Sequence, residues 1–282
     1  MADSAVAGRV RTATPRPFER PAIGGVLAVL EYCARVYRRN WRGTLFMTFI
    51  SPILFLGAMG FGLGSFVDAA APGAATGIPG VAYAAFLAPG LLAATCMQTG
   101  GFEATYPVMG RIVWDKVYHA MLATPITVRD IVAGQIAWFA VRLALVAGAY
   151  CVVILAFGLA PGGPMALLTI PVGILTGLCF STWIAAFSAT QKTDNGFAVI
   201  FRFGLTPLFL FSGTFFPVER LPAFLQPVAF LTPTYHGVTL TRELSLGIAE
   251  PGSSLVHLAF LVVVIAMGCW ASLVTFRRAL VN

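Results

Sequence analysis

From Gly43 to Val67 the chain runs for 25 residues without a charged side chain. As a helix rising about 1.5 Å per residue, that run outreaches the roughly 30 Å hydrocarbon core of a bilayer. Five comparable stretches follow, at 83–107, 131–158, 164–190, 197–216 and 255–276, interrupted only by Glu103, Arg142 and Arg202. In lipid a single segment satisfies its own backbone N–H and C=O groups only as a helix. The sequence therefore predicts an all-α polytopic membrane protein with six spans. Composition agrees: 58% of the residues are hydrophobic and 10% are charged, where a soluble domain carries about 25%. These values exclude a water-soluble enzyme, a disulfide scaffold and a disordered chain.

Six spans place both termini on one side, and Lys and Arg choose the side. Eight Arg precede residue 43. With the N-terminus inside, 14 of the 18 Lys and Arg lie on the inner side, Arg220 and Arg242 lie outside, and Arg142 and Arg202 lie within spans. Both termini are thus expected in the cytosol. The N-terminal Arg cluster suits anionic lipid head groups, and no nucleic acid partner is expected. No early apolar run marks a cleaved signal peptide. Residues 1–22 read as a flexible cytosolic N-terminus and 23–282 as the transmembrane domain.

Four segments stand out. Residues 23–42 place Glu31, Arg35, Arg38 and Arg42 on one helical face and Leu27, Leu30, Ala34, Tyr37 and Trp41 on another. That pattern predicts an interfacial amphipathic helix ahead of the first span, with Glu31, Tyr32, Arg35, Arg38 and Arg39 at the membrane surface. The inner loop 108–130 contains a second short amphipathic helix, Met109–Leu122, ended by Thr124–Pro125; such a helix suits a partner's groove or, more plainly, a solvated connector. Within the spans, Glu103, Arg142 and Arg202 either pair with one another or line a polar route, Glu103 being the one acidic residue inside a span. The outer segment 217–254 is broken by Pro217, Pro222, Pro227 and Pro233 into pieces expected to lie at, or dip into, the outer leaflet. Gly60/Gly64 and Gly173/Gly177 form GxxxG pairs suited to close packing within the subunit.

Catalytic signatures are missing. The sequence has no GxxxxGK[ST], HExxH or GxSxG. His119, His236 and His257 fall in three separate segments and predict no common metal site, and the five Cys include no CxxC. No cofactor or metal is expected on this chain.

The stretch FEATYPVMGRIVWDKVYHAMLATPITVRDIVAGQIAW (Phe102–Trp138) resembles the second span, loop and third span of type 2 ABC transporter permeases. FLFSGTFFPVERLPAFLQPVAFLTPTYHGVTLTRELSLG (Phe209–Gly247) resembles the fifth-to-sixth-span signature of the same family. Within that family the two stretches most resemble lipo-oligosaccharide (nodulation-factor) export permeases, with daunorubicin-type drug-export permeases as near relatives. The resemblance implies an exporter subunit in a bacterial cytoplasmic membrane. It implies a second permease copy and two copies of a separate P-loop ATP-binding subunit, which holds ATP and Mg. It implies that Arg111, Asp115, Lys116, Tyr118 and His119 form an ATPase-coupling helix, and that Glu219, Arg220, Tyr235 and His236 shape an outer gate. The substrate class it suggests is an amphipathic molecule, a lipid-linked saccharide or a lipophilic drug. Two alternatives stand beside it: an ion-gradient-driven secondary transporter, which would want more paired intramembrane acids, and a membrane enzyme on lipid-linked sugars, which would want an acidic or His cluster at one membrane face.

Overall fold

The computed structural model describes residues 24–39, 41–70 and 76–281, so the expected N-terminal segment 1–22 lies outside the described residues. All regular structure in the described residues is helical. Helix α1 is Gly24–Arg38 and α2 is Trp41–Ala70. Helix α3 is Tyr83–Ala104. Helix α4 covers 106–114, α-helical over Tyr106–Met109 and π-helical over Gly110–Trp114. The short α5 is Val117–Leu122, α6 is Val128–Ala156 and α7 is Gly163–Ser188. Helix α8 is Asn195–Phe211, α9 Gln226–Phe230, α10 Pro233–Leu246 and α11 Pro251–Val281.

Among the described residues, α2, α6, α7 and α11 are long and apolar enough to cross a membrane. The other two expected spans are present as helices of a different character. Helix α3 has 22 residues, about 33 Å of helix, but Thr95, Gln98, Thr99 and Glu103 dilute its apolar surface. Helix α8 is apolar and shorter. The bundle is built around α3, which packs on α7, α10 and α6. Every residue from Phe86 to Ala94 is buried, which explains why α3 shows no one-sided apolar stripe.

Apolar side chains gain little by leaving lipid for a protein interior, so helices in a bilayer associate through close packing and hydrogen bonds. Gly100 and Gly177 meet backbone to backbone: a Cβ on Gly100 would run into the Gly177 carbonyl, and one on Gly177 would approach the Cys96 carbonyl to 2.8 Å. Gly173 lies against Leu92 and Cys96 in the same seam. Ser188 donates to the Ala104 carbonyl (2.7 Å) and Ser272 to that of Thr182 (2.7 Å), tying α7 to α3 and α11. By contrast α2 and α11 are mostly uncovered, their apolar side chains left for lipid or another subunit.

Helix α1 covers 24–38 of the 23–42 expected as one interfacial helix, Trp41 and Arg42 opening α2 instead, and a different face meets the bundle. Val29 and Cys33 are its buried residues and Leu27 is exposed, as is Trp41 at the start of α2. It runs alongside the first half of α6, with Gly25 at Asp130, Val29 at Gly134 and Tyr37 at Trp138.

Candidate functional site

Three polar clusters punctuate the bundle. The first is the elbow between α3 and α6. Pro107 near the start of α4 suits a fresh helix start. The single amphipathic helix expected over Met109–Leu122 is instead broken at Lys116, which has φ +50° and is the one non-glycine residue with positive φ among those described. A left-handed residue there turns the chain sharply between α4 and α5. Helix α6 then opens with a capping box: Asp130 N–H donates to Thr127 Oγ1 (3.3 Å) and Thr127 N–H to Asp130 Oδ2 (2.8 Å).

The break sorts the five residues expected on this surface into two groups. Asp115, Lys116 and His119 are exposed, together with Trp114. Arg111 and Tyr118 are buried and point into the bundle. Both donate to Oε1 of Gln135 on α6, from Arg111 Nη1 at 2.5 Å and Tyr118 OH at 2.7 Å. Cys33 of α1 points its thiol at the same oxygen (3.9 Å), and the Tyr32 ring lies 5.9 Å from the Arg111 guanidinium. Burial pushes the Tyr118 phenol up to about 12, so it remains a neutral donor. Gln135, which joins α1, α4, α5 and α6, gave no signal in the sequence beyond being a lone polar residue in an apolar run. Of the other residues expected at the membrane surface, Glu31 and Arg35 form an exposed i,i+4 pair (2.6 Å), and Arg38 and Arg39 are exposed.

The second cluster lies within the bundle. Arg142 Nε donates to Glu103 Oε1 at 2.8 Å, joining α6 to α3. The Tyr37 ring of α1 lies 4.6 Å from the guanidinium and stands edge-on to Trp138. Arg202 does not join them: it is exposed and forms no ion pair among the described residues. The pair borders a cavity of about 600 Å³ lined also by Thr44, Gln98, Thr99, Phe102, Phe201, Leu205 and Thr206.

The third cluster is formed by α10, which lies antiparallel along α3. Thr234 meets Met97, Thr241 donates to the Pro89 carbonyl (3.0 Å), and Arg242 reaches the Phe86 carbonyl (3.1 Å). Arg242 also donates to the Gly213 carbonyl (2.8 Å) and stacks on the Phe86 ring at 3.6 Å. It borders a cavity of about 490 Å³ with Glu219, Arg220 and Tyr235. His236, expected with them, turns instead to α11, where its Nδ1 lies 2.7 Å from Nδ1 of His257. Residues 21 apart in sequence, assigned to separate segments, thus meet because α10 folds back onto α11. Among the described residues no group of three or more His, Cys, Asp or Glu is placed to hold a metal.

Comparison with known proteins matches residues 25–246 to the ABC-2 type transporter family. Nodulation protein J of Rhizobium leguminosarum bv. viciae is 31% identical over 256 residues, covering 88% of this chain and 94% of its own. The nodulation protein J of Rhizobium leguminosarum bv. trifolii is 32% identical over 75% of this chain and 80% of its own. That of Bradyrhizobium diazoefficiens is 31% identical over 88% and 93%.

Proposed function

The chain belongs to the ABC-2 type transporter family, and on that premise we propose that it is the membrane-spanning permease subunit of an ATP-driven exporter. The subunit sits in a bacterial cytoplasmic membrane with six spans, α3 and α8 among them, and both termini in the cytosol. It pairs with a second permease copy and two ATP-binding subunits, which carry ATP and Mg. The cargo is an amphipathic molecule, a lipid-linked saccharide or a lipophilic drug.

The observation that carries this reading is the elbow of α4 and α5. Its outward groups, Trp114, Asp115, Lys116 and His119, form a compact knob of mixed charge and one aromatic ring, suited to a groove on a partner. Its inward groups, Arg111 and Tyr118, are locked to Gln135. Force applied to the knob therefore passes to α6 through hydrogen bonds and to α3 through the backbone. ATP favours the closed arrangement of its own subunits, and that differential affinity biases the permease. The half-buried pair of Glu103 and Arg142 and the α10 region give the moving helices polar contacts on the inner and outer sides.

Affinity purification of the tagged chain from native membranes in mild detergent, followed by mass spectrometry, tests the reading. A stoichiometric P-loop ATPase is expected. Recovery of the chain alone, under conditions that keep a control exporter intact, overturns it in favour of a secondary carrier.

A further inference from the structure

His236 and His257 meet where α10 lies against α11. Their Nδ1 atoms are 2.7 Å apart, a hydrogen bond in which one ring donates Nδ1–H and the other accepts on a bare Nδ1. When both rings are imidazolium, two N–H groups face each other and the bond is lost. His236 is buried and stacked on Phe260 at 3.9 Å, with Tyr235 edge-on to both imidazoles at 5.5 and 6.0 Å. Its Nε2 is buried without a hydrogen-bond partner among the described residues, and only the backbone carbonyl of Phe230 favours the charged ring. His257 lies about 9 Å along α11 and is half-buried, so protons reach the pair from its side.

No neighbouring group balances a second proton. Helices α7 and α9, which pack on α10, hold no charged residue. From α7 come Thr176, against Gly237, and Cys179, whose thiol points at the Leu261 carbonyl. Helix α3 presents Met97, and its Glu103 is engaged with Arg142. On α10 itself Arg242 is held by the Phe86 and Gly213 carbonyls, and Glu243 accepts from Ser254 (3.2 Å). Among the described residues neither His forms an ion pair with Glu219, Glu243 or Glu250. Burial, then the neighbouring His257 ring, pushes His236 down to about 4 from an ordinary 6.5. The paired ring thus disfavours a proton that a freed ring accepts, so the contact is at full strength above about pH 6.5 and weakens as pH falls toward about 4. We propose that the His236–His257 contact is a proton-operated clasp, which fastens α10 to α11 at neutral pH and releases them when the compartment it faces turns acidic. Release leaves α10 tied to α3 through Thr241 and Arg242, so the first turns of α11 are the part set free. In the orientation proposed above that compartment is the outside, but the clasp itself does not depend on the exporter reading.

The test is amide hydrogen exchange of the full chain, with whatever subunits purify with it, in lipid nanodiscs at about pH 7.5 and about pH 5. Wild type and His257→Asn are compared at each pH, which cancels the intrinsic effect of pH on exchange. The Asn amide offers a donor and an acceptor to His236 but does not titrate. The ratio of wild-type to variant exchange rates in peptides covering 251–260 is expected to rise at least about tenfold between the two pH values. The same ratio in α6 peptides should stay level. His236→Asn should reproduce the result, and it answers the question alone if His257→Asn does not assemble. A ratio at 251–260 that does not change with pH, or that rises equally in α6, overturns the clasp and leaves the exporter reading standing.

Discussion

At the scale of single residues, the two buried polar clusters make opposite demands. Gln135 presents one acceptor to two donors, so its loss strands both. Gln135→Leu leaves the Arg111 guanidinium and the Tyr118 hydroxyl buried without an acceptor, and is expected to destabilise the protein by about 3 kcal/mol or more. Tyr118→Phe removes a donor while leaving Arg111 on Gln135, and should cost about 1 kcal/mol. Thermal denaturation in nanodiscs gives the order; equal losses would remove Gln135 from its place as the shared acceptor. For the Glu103–Arg142 pair, the buried charge is that of Arg142, and Glu103 is half-buried. Glu103→Gln leaves the buried Arg142 guanidinium without its counter-charge and should cost about 3–5 kcal/mol; Arg142→Met, which leaves a half-buried Glu103 at the cavity, and the Glu103→Met/Arg142→Met double variant should each cost less. A double variant that assembles yet no longer transports assigns the pair to the cargo route, whereas one that transports normally assigns it to structure. The sequence named both residues because a charge in a span is conspicuous. It passed over Gln135 and Gln98, since a single amide in an apolar run carries no such mark, and it placed Tyr37 only on the apolar face of the first helix.

At the scale of elements, the chain's periodicity located helices better than it located their contacts. In a soluble protein the apolar face of a helix is the packed face. Beside a bilayer, two apolar environments compete, and the pattern in α1 does not say that Val29 and Cys33 rather than Leu27 meet the protein. The elbow is a similar case. Its amphipathic pattern was continuous through Met109–Leu122, and the left-handed turn at Lys116 is what reverses the roles of Arg111 and Tyr118. Replacing 115–119 by Gly and Ser is expected to abolish transport while the partner ATPase still binds ATP; retained transport would remove the elbow from coupling. The seam of α3 and α7 yields a separate expectation. Gly177→Ala overfills a contact already at backbone distance and should destabilise by about 1–3 kcal/mol. Gly60→Ala, whose Cβ would meet Ala84 at 3.4 Å, should be tolerated in the same melting assay.

At the scale of the whole molecule, the proposed arrangement in the membrane rests on the Lys and Arg bias and can be tested directly. Pro161 lies exposed between α6 and α7, and His119 lies exposed on the elbow. With both termini in the cytosol, a membrane-impermeant thiol reagent should label Pro161→Cys in intact cells and His119→Cys only after permeabilisation. The native cysteines give little background, since four of the five are buried. The reverse labelling pattern would invert the topology and with it the docking of the elbow to a cytosolic partner.

What the sequence determined by itself is what depends on local chain chemistry. Long uncharged runs require helices in lipid, and the Lys and Arg bias points to an orientation. What only the tertiary structure decided is which side chains from distant segments share a space. Arg142 finds Glu103 across 39 residues and leaves Arg202 outside. His236 finds His257, and Arg242, counted in the sequence as an outer charge, is wrapped by carbonyls of Phe86 and Gly213. Those pairings depend on helix rotation and on the fold-back of α10 along α3. Close glycine contacts and single hydrogen bonds set both, and neither leaves a periodic trace in an apolar sequence.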